Sequence, residues 1–398
     1  MNKTVLFNPL SMPMYVMAKP VGATCNLNCA YCYYLEKEKL YPNRTEIRMS
    51  DGLLEKYIES YINAQPVPHV LFTWHGGETL LAGLPFYRKA LALQKKHGKG
   101  RVIANSLQTN GVLLNDEWCR FFRENQFLIG ISIDGPEHCH NMYRQNAGGN
   151  GTFRQVMRGI ELLQKHRVDF NILSVINNYN VRFPLDVYRF FKAIGAHYMQ
   201  FLPVVERIHH NRSDGLRLLP PKKATDAPMA PWAVGAEAFG RFYIAIFDEW
   251  VRNDIGRYFV QLFDAVLANF VGEMPGSCIL APTCGHASVM EWNGDVYSCD
   301  HFVFPEYKLG NIRNRTIVEM MFSEAQLRFG ADKRDRLPQQ CVECEYLKIC
   351  NGECPKNRVS TDRYGNEGLN YLCEGYKMFF KHAIPCMKLM AKALNLKK

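Results

Sequence analysis

Three cysteines near the N-terminus have the spacing of an iron–sulfur site. Cys25, Cys29 and Cys32 follow a C-x3-C-x2-C pattern. Three thiolates can hold three irons of a 4Fe–4S cubane and leave the fourth iron free to bind a small molecule and do chemistry on it. A zinc loop and three unrelated core thiols are the alternatives, because free cysteine often behaves as a small buried hydrophobe. Structural zinc prefers C-x2-C or C-x4-C pairs with a fourth ligand nearby, so the spacing favours the open cluster.

Eight further cysteines lie in the last third of the chain, enough to ligate two complete cubanes. They are Cys278, Cys284, Cys299, Cys341, Cys344, Cys350, Cys354 and Cys373. A region of about a hundred residues with few long apolar runs needs such staples to hold a fold. Two zinc sites are the competing interpretation, because C-x2-C is also a preferred zinc spacing. The spacing alone leaves open how the eight thiols divide.

Regularly alternating elements precede and follow the first cysteine motif. Short β-rich runs predict strands at Met14–Lys19, Val70–Trp74, Arg101–Gln108, Leu128–Ile133, Phe170–Ile176 and Tyr198–Pro203. Amphipathic patterns between them predict a helix capped by Ser50 and further helices at Phe86–His97, Asp116–Glu124 and Phe153–His166. This alternation predicts an α/β fold with a parallel sheet and right-handed crossovers. Six such units suit a partial (β/α)6 TIM-like barrel, with chemistry at the C-terminal ends of its strands.

The pattern changes after the last predicted strand. Residues 206–234 have little periodicity and are predicted to form a loop or insertion. A helical stretch is predicted from about Ala236 to Asn269, and short segments rich in cysteine follow it. We therefore expect a barrel at 1–235, a helical linker at 236–270, and a small cysteine-rich domain with a C-terminal helix at 271–398.

Charge and composition limit the partners and the compartment. The formal net charge of +10 is spread along the chain, with no basic stripe interleaved with aromatics, so we predict no nucleic-acid partner. No apolar run approaches the ~18 residues of a membrane span. The N-terminus has no apolar run of signal-peptide length, which predicts a cytoplasmic protein. Thiols stay reduced there, so fourteen cysteines indicate metal rather than disulfides.

Taken together, the motifs resemble those of radical S-adenosylmethionine (SAM) enzymes with a SPASM-type extension, and most closely the anaerobic sulfatase-maturating enzymes. The stretches that carry this resemblance are Lys19–Cys25, Thr73–Glu78, Gly294–His301 and Asn351–Lys356. It runs over residues 13–386, nearly the whole chain. The resemblance implies a partial barrel followed by a small cysteine-rich domain that holds two auxiliary clusters.

The family resemblance also implies the cofactors, which are SAM and three 4Fe–4S clusters. The SAM-binding cluster would be held by Cys25, Cys29 and Cys32. The first auxiliary cluster would be held by Cys278, Cys284, Cys299 and Cys354. The second would be held by Cys341, Cys344, Cys350 and Cys373.

Candidate SAM-binding residues follow the predicted strands. They are Gly76, Gly77, Glu78, Ser132, Asp134 and Arg144. Glycines let the backbone approach a ligand, and the Glu78 carboxylate suits the ammonium group of SAM. Arg144 suits its carboxylate. Each of these residues would equally fit a turn or a surface pair, and the match at all of them together favours the SAM pocket.

Asp300 directly follows Cys299 and is the candidate catalytic residue. In the resembling family, the aspartate at this motif position is the general base that deprotonates the substrate side chain. Burial near a cluster would suit that role by raising the pKa of Asp300 towards neutrality. Tyr34 and His75 lie near the SAM-facing loops and are candidate substrate-binding residues.

The resemblance implies an oxidoreductase that converts a cysteine or serine in a C/S-x-P/A-x-R segment of an unfolded sulfatase precursor to formylglycine. A 5′-deoxyadenosyl radical would take a hydrogen from the β-carbon, and a flavodoxin or ferredoxin would supply the electron. One alternative is another SPASM-type ribosomal peptide maturase that forms a crosslink. A second is a non-enzymatic electron-transfer or zinc-binding protein.

Overall fold

The computed structural model describes residues 13–209, 216–221 and 227–395. Among these residues the strands are β1 Tyr15–Ala18, β2 His69–Trp74, β3 Val102–Thr109, β4 Leu128–Ser132, β5 Phe170–Ile176, β6 Tyr198–Pro203, β7 Phe259–Val260, β8 Ala287–Met290, β9 Asp295–Tyr297, β10 Lys308–Asn311, β11 Ser360–Thr361 and β12 Glu367–Leu369. The helices are α1 Asp51–Ala64, α2 Leu84–His97, α3 Asp116–Glu124, α4 Glu137–Asn141, α5 Phe153–Lys165, α6 Pro184–Ala193, α7 Ala236–Asn253, α8 Gln261–Val271, α9 Ile317–Met321, α10 Glu324–Asp335, α11 Gln339–Val342, α12 Leu347–Cys350 and α13 Cys373–Asn395. Short 3-10 turns occur at Leu35–Leu40, Thr79–Ala82, Asn180–Arg182, Asp300–Phe302, Pro305–Tyr307 and Pro355–Asn357.

One open sheet runs through most of the protein. Its strand order is β10-β9-β8-β1-β2-β3-β4-β5-β6-β7, and β1 to β7 are parallel neighbours in chain order. Helices connect successive strands, as right-handed crossovers between parallel strands require. The predicted partial barrel is therefore confirmed, and the six predicted strands agree with β1 to β6 to within two residues at each end.

Aromatic side chains fill the space between the first strands and their helices. The Trp74 ring of β2 is fully buried, and its neighbours Tyr57, Phe86 and Tyr87 lie with ring centroids 5.7–6.0 Å away, edge to face. Helix α1 begins where predicted, because the Ser50 side chain accepts a hydrogen bond from a backbone N–H of the first turn. These contacts hold the ends of β1 and β2, from which the loops of the site emerge.

The C-terminal region joins the barrel through its sheet. Strand β8 pairs parallel to β1, with Tyr15 opposite Ala287 and Ala18 opposite Met290. Strands β9 and β10 then continue the sheet in antiparallel fashion. The expected limits of the barrel, linker and cysteine-rich domain stay predictions, but one sheet spans the first and the third of them.

The single helical stretch predicted from Ala236 to Asn269 is wrong. The structure has two helices, α7 and α8, separated by a turn around Gly256 and by strand β7, which pairs with β6. Periodicity identified the apolar face of the helices. It did not show that Phe259 and Val260, which lie between them, form the edge strand of the sheet beside β6. Both helices pack on the barrel and do not form a free connector.

Helix α13 closes the protein against α7 and α8. Its Phe379 ring contacts the rings of Tyr243 and Phe263, each with centroids 5.6 Å apart. The helices cross closely at Gly375, where a Cβ would stand 2.1 Å from the carbonyl oxygen of Ala236. This contact fixes the end of the chain that carries Cys373.

The described parts of residues 206–234 contain no helix and only isolated β-bridges, as predicted for a loop. The predicted pair Lys222 and Lys223 and His210 lie outside the described residues. No helix in the described ranges is both long and apolar enough to cross a membrane.

Candidate active site

The Gly-Gly-Glu loop after β2 clamps the first cysteine loop. The backbone N–H of Gly77 donates to the carbonyl oxygen of Gly22 at 2.8 Å, and that of Glu78 donates to the carbonyl oxygen of Thr24 at 2.9 Å. A Cβ on Gly77 would stand 2.1 Å from the Thr24 oxygen, so only glycine fits there. The two loops are therefore locked together immediately before Cys25.

The buried Glu78 carboxylate links this clamp to the end of β3. It accepts hydrogen bonds from the Thr109 hydroxyl and the Asn110 backbone N–H, both at 2.8 Å. The Asn110 amide in turn donates to Asn26 Oδ1 at 2.8 Å and lies 3.8 Å from Cys25 Sγ. Burial raises the pKa of Glu78 to about 6. Through Asn110, Glu78 supports the cysteine loop, and its predicted contact with the SAM ammonium group stays a prediction.

Asp134 and Arg144 form a buried ion pair beside Cys29. Arg144 Nε lies 3.0 Å from Asp134 Oδ2, which also accepts a hydrogen bond from the Tyr31 hydroxyl, while Asp134 Oδ1 accepts the Val175 N–H at 2.9 Å. Burial opposes the charge of Arg144, but Asp134, Tyr31 and Cys29 outweigh it and raise the pKa of the guanidinium. The structure thus brings Arg144 to the first cluster site, and its contact with SAM stays a prediction.

The other candidate SAM residues lie at the strand ends where they were expected. The Ser132 hydroxyl at the end of β4 is half-buried and accepts the Gln108 amide at 2.9 Å. Gly76 has φ +143°, a conformation that favours glycine, and leads from β2 into the clamp. Their proposed roles toward SAM remain predictions.

A cavity of about 310 Å³ opens beside Cys29 and Cys32. Leu218 and Trp232 of the 206–234 loop form part of its wall. The Glu36 carboxylate holds the 206–234 loop close to the cysteine loop, because it accepts a hydrogen bond from the Arg217 backbone N–H at 2.8 Å. The cavity gives a small molecule or a peptide side chain access to two of the three thiols.

The three N-terminal thiols are close enough for their charges to interact. Cys25 feels the charges of both Cys29 and Cys32, and burial raises its pKa to about 12 and that of Cys29 to about 11. A thiol of this kind becomes a thiolate when a metal replaces its proton. The donor set fits a cluster held by three thiolates.

The eight C-terminal thiols fall into two groups. The Cys299 charge interacts with those of Cys278 and Cys284, and the Cys354 charge interacts with all three. The second group comprises the interacting thiols Cys341, Cys344, Cys350 and Cys373. The family resemblance implies the same two groups of four, and four thiolates are the ligand set of a closed cubane.

Two cationic side chains lie near these thiols. Lys333 is fully buried, and its ammonium donates to the carbonyl oxygen of Cys278 at 2.6 Å. The Arg358 guanidinium interacts with Cys284 and Cys354 of one group and with Cys341 of the other. These two cations favour the thiolate forms of the nearby cysteines, whereas burial and the Glu353 carboxylate oppose those forms. Within the described residues, no three His, Cys, Asp or Glu side chains are placed to hold a single metal ion.

Asp300 lies between the first cysteine loop and the first auxiliary group. One carboxylate oxygen pairs with the Lys19 ammonium, and the other accepts a hydrogen bond from the Tyr33 hydroxyl. Burial raises the pKa of Asp300, but the charge of the buried Lys19 ammonium outweighs this effect and holds the pKa well below its usual range. The expectation of a raised pKa is therefore wrong, because a buried ammonium faces the carboxylate.

The two candidate substrate residues lie close to the Lys19–Asp300 pair. Tyr34 is only 3% exposed, and its hydroxyl donates to Glu291. The His75 Nδ1 accepts the Gly76 backbone N–H at 2.7 Å, and burial lowers the pKa of His75 to about 4, so that its ring is neutral. Contact of either residue with substrate stays a prediction.

The sequence did not identify Lys19 and Tyr33 as partners of Asp300, or Tyr31 as a partner of Asp134. Lys19 begins the Lys19–Cys25 motif, and Tyr31 and Tyr33 flank Cys32, so the aromatic run around Cys32 was the available signal. Nothing in the local pattern marks Glu291, which follows a buried strand. Its burial in contact with Tyr34 appears only in the folded chain.

Comparison with known proteins identifies the family. Residues 20–191 match the radical SAM superfamily, and residues 284–345 match the SPASM iron–sulfur cluster-binding domain. The chain is 56% identical over 392 residues to the serine-type anaerobic sulfatase-maturating enzyme of Bacteroides thetaiotaomicron, covering 98% of this chain and 94% of that one. The chain belongs to the anaerobic sulfatase-maturating enzymes.

More distant members support the assignment. The cysteine-type anaerobic sulfatase-maturating enzyme of Clostridium perfringens is 33% identical over 391 residues, covering 97% of this chain and 100% of that one. A solved structure of native anSMEcpe with bound AdoMet and Cp18Cys peptide superposes with a TM-score of 0.84 at 32% identity, covering 96% of this chain and 100% of that one. This sulfatase-maturating enzyme is thus a radical SAM oxidoreductase whose cofactors are SAM and 4Fe–4S clusters.

Proposed function

We propose that this enzyme oxidises a serine side chain in a C/S-x-P/A-x-R segment of a sulfatase precursor to formylglycine. The choice of serine is supported by 56% identity to a serine-type relative, against 33% to a cysteine-type relative. The substrate segment would be extended and unfolded, so that its target side chain can reach Asp300.

The position of Asp300 carries this proposal. Its carboxylate touches Tyr33, the residue after Cys32, and its backbone follows Cys299 directly. A base at this place lies between the thiols that would hold the SAM-binding cluster and those that would hold an auxiliary cluster. The proposed oxidation of an alcohol needs a radical source, a base and an electron acceptor close to one another.

When bound, SAM and its cluster supply a 5′-deoxyadenosyl radical, and the auxiliary clusters supply an electron acceptor. The conversion of a –CH2–OH group to an aldehyde removes one hydrogen atom from the β-carbon, one proton from the hydroxyl and one electron. The residues that would hold these groups are the three sets of cysteines described above.

Asp300 would accept the hydroxyl proton. Its low pKa keeps it ionised at neutral pH, so a free base is always present. An alcohol whose carbon has lost a hydrogen atom is a much stronger acid than the parent alcohol. A weak base such as Asp300 can then take the proton after hydrogen removal rather than before it.

Buried side chains surround the first cysteine loop, namely Tyr31, Tyr34 and the Asp134–Arg144 pair. Tyr31 and Tyr34 are buried at 6% and 3% exposure, and Arg144 is buried at 7%. Such walls exclude water from a reactive carbon centre. We include a flavodoxin or ferredoxin as electron donor and a cytoplasmic location in the proposal, since reduced thiols and low-potential electrons are available there.

Mass spectrometry of two synthetic peptides tests the proposal. Reconstituted enzyme, reductant and SAM are incubated anaerobically with peptides that carry Ser-x-Pro-x-Arg or Cys-x-Pro-x-Arg, and aldehydes are captured with a hydrazine reagent. The serine peptide should lose about 2 mass units and react with the reagent, and the cysteine peptide, if accepted, should lose about 18. A crosslink would also lose about 2 units but would not react with hydrazine, so it would support the peptide-maturase alternative.

Asp300→Asn separates the base from the radical chemistry. SAM cleavage should continue in this variant, while the aldehyde yield should fall by ~10²–10⁴-fold, the usual contribution of a general base. An unchanged aldehyde yield would remove Asp300 from the mechanism. Conversion of the cysteine peptide alone would assign the enzyme to the cysteine type.

A further inference from the structure

Both oxygens of the Asp300 carboxylate are held by other side chains. Lys19 reaches one oxygen from the end of β1, and Tyr33 reaches the other from the cysteine loop. A carboxylate has about four lone-pair sites, so two such contacts fix its plane and leave capacity for a substrate proton. The Asp300 side chain remains 19% exposed, which provides the approach for that proton.

Lys19 is an unusual partner because its side chain is completely buried. Its ammonium lies 3.1 Å from the centroid of the Tyr34 ring, whose hydroxyl is in turn held by Glu291. A buried ammonium that lost its carboxylate would be strongly destabilising, so Lys19 has little freedom to leave Asp300. The Tyr34 ring therefore helps to hold the Lys19 ammonium against the Asp300 carboxylate.

Tyr33 connects the base to the cluster loop. It follows Cys32 in the chain, and it interacts electrostatically with both Cys32 and Cys299. Its ring lies 5.1 Å from the His301 ring and 6.1 Å from the Tyr34 ring, measured between centroids. The hydroxyl of Tyr33 is thus the contact through which the position of the cysteine loop sets the orientation of Asp300.

We propose that Lys19 and Tyr33 are positioning residues that orient the Asp300 carboxylate for proton removal from the substrate. The inference rests on the proposed function, because it assigns partners to the base of that reaction. Hydrogen removal from the β-carbon does not depend on these contacts. Loss of either one should therefore leave that step in place and slow the formation of the aldehyde.

Tyr33→Phe is the test variant, because it removes one hydroxyl and keeps the ring. The substrate is a peptide whose target serine carries deuterium on its β-carbon. Deuterium found in 5′-deoxyadenosine counts hydrogen removal, and captured aldehyde counts product. In the unmodified enzyme the two should agree. In Tyr33→Phe the ratio of deuterium transfer to aldehyde should rise about tenfold, the effect of one lost hydrogen bond to a charged group.

Tyr41→Phe is the matched control. Tyr41 is a nearby half-buried tyrosine whose hydroxyl is hydrogen-bonded to the Tyr297 hydroxyl at 2.9 Å. Its variant should keep the ratio of the unmodified enzyme. Iron content and the electron paramagnetic resonance (EPR) spectrum, measured first, establish that all variants carry equal clusters. Lys19→Met should raise the ratio further, and if this variant does not fold, Tyr33→Phe alone decides.

Three results are distinguishable. If the unmodified enzyme makes no aldehyde, the proposed function fails. If it makes aldehyde and Tyr33→Phe keeps its ratio, the positioning role is wrong. An equal loss of deuterium transfer and aldehyde in Tyr33→Phe also contradicts it, because that result indicates a general structural defect.

Discussion

Replacing Gly77 with alanine places a Cβ 2.1 Å from the carbonyl oxygen of Thr24 and 2.5 Å from that of Ala23. Both atoms belong to rigid backbone, so neither can rotate away. An ordinary contact needs 3.4 Å, and the Thr24 oxygen therefore has to retreat by about 1.3 Å. Overpacking of this kind costs about 1–3 kcal/mol, less than the total stability of most domains, so we expect the fold to survive.

The displaced backbone leads directly to Cys25. A shift of about 1 Å at a reacting site can lower the rate by ~10²-fold. We expect Gly77→Ala to reduce 5′-deoxyadenosine formation by about that factor, while the two auxiliary thiol groups remain in place. Iron content, EPR of the reduced protein and the rate of SAM cleavage measure these effects separately.

Gly52→Ala is the control for this substitution. Gly52 lies in α1, and a Cβ there would have no neighbour within 4 Å. Gly52 is the second residue of α1, where alanine is a favourable residue, so this variant should be fully active and at least as stable as the unmodified enzyme. A Gly77→Ala enzyme with the SAM-cleavage rate of the Gly52→Ala control would refute the clamp between the Gly-Gly-Glu loop and the cysteine loop.

Buried charge, thiol grouping and helix capping give three further predictions. Burial raises the pKa of Glu291 to about 7. The free energy of unfolding should therefore fall as the pH rises from about 4.5 to about 7, because the folded state favours the protonated acid. Glu291→Gln should abolish up to about 3 kcal/mol of this fall, measured by urea unfolding across that pH range. Cys299→Ala and Cys354→Ala should each lose about four of about twelve irons, and the double variant should lose no more, because both residues belong to one group. Cys299→Ala combined with Cys373→Ala should lose about eight irons. Equal iron losses in the two double variants would contradict the grouping. Ser50→Ala should lower the free energy of unfolding by about 1 kcal/mol with an unchanged SAM-cleavage rate, and an unchanged melting temperature would show that the cap is unimportant.

Local patterns predicted the barrel well, because each strand and helix carries its own signal. Strands β5 and β6 begin and end at the predicted residues, since buried β-branched and aromatic runs are bounded by turns. The Ala236–Asn269 stretch was predicted wrongly, because Phe259 and Val260 look like part of a helical face until their pairing with β6 is known.

The candidate site was predictable in its ligand types but not in its electrostatics. Cysteine spacing indicates clusters, because the cysteine thiolates are themselves the ligands of the irons. The pKa of Asp300 depends on Lys19, which lies far away in the sequence and meets it only because β8 pairs with β1. No local pattern reports such a contact.

Deuterium transfer is the sharpest test of the reaction proposed for this enzyme. The enzyme is incubated with SAM, reductant and a peptide whose target serine is deuterated at the β-carbon. We predict that each aldehyde formed is matched by one deuterium in 5′-deoxyadenosine. Formation of 5′-deoxyadenosine without deuterium, and with an unchanged peptide, would contradict the assignment of this side chain as the substrate.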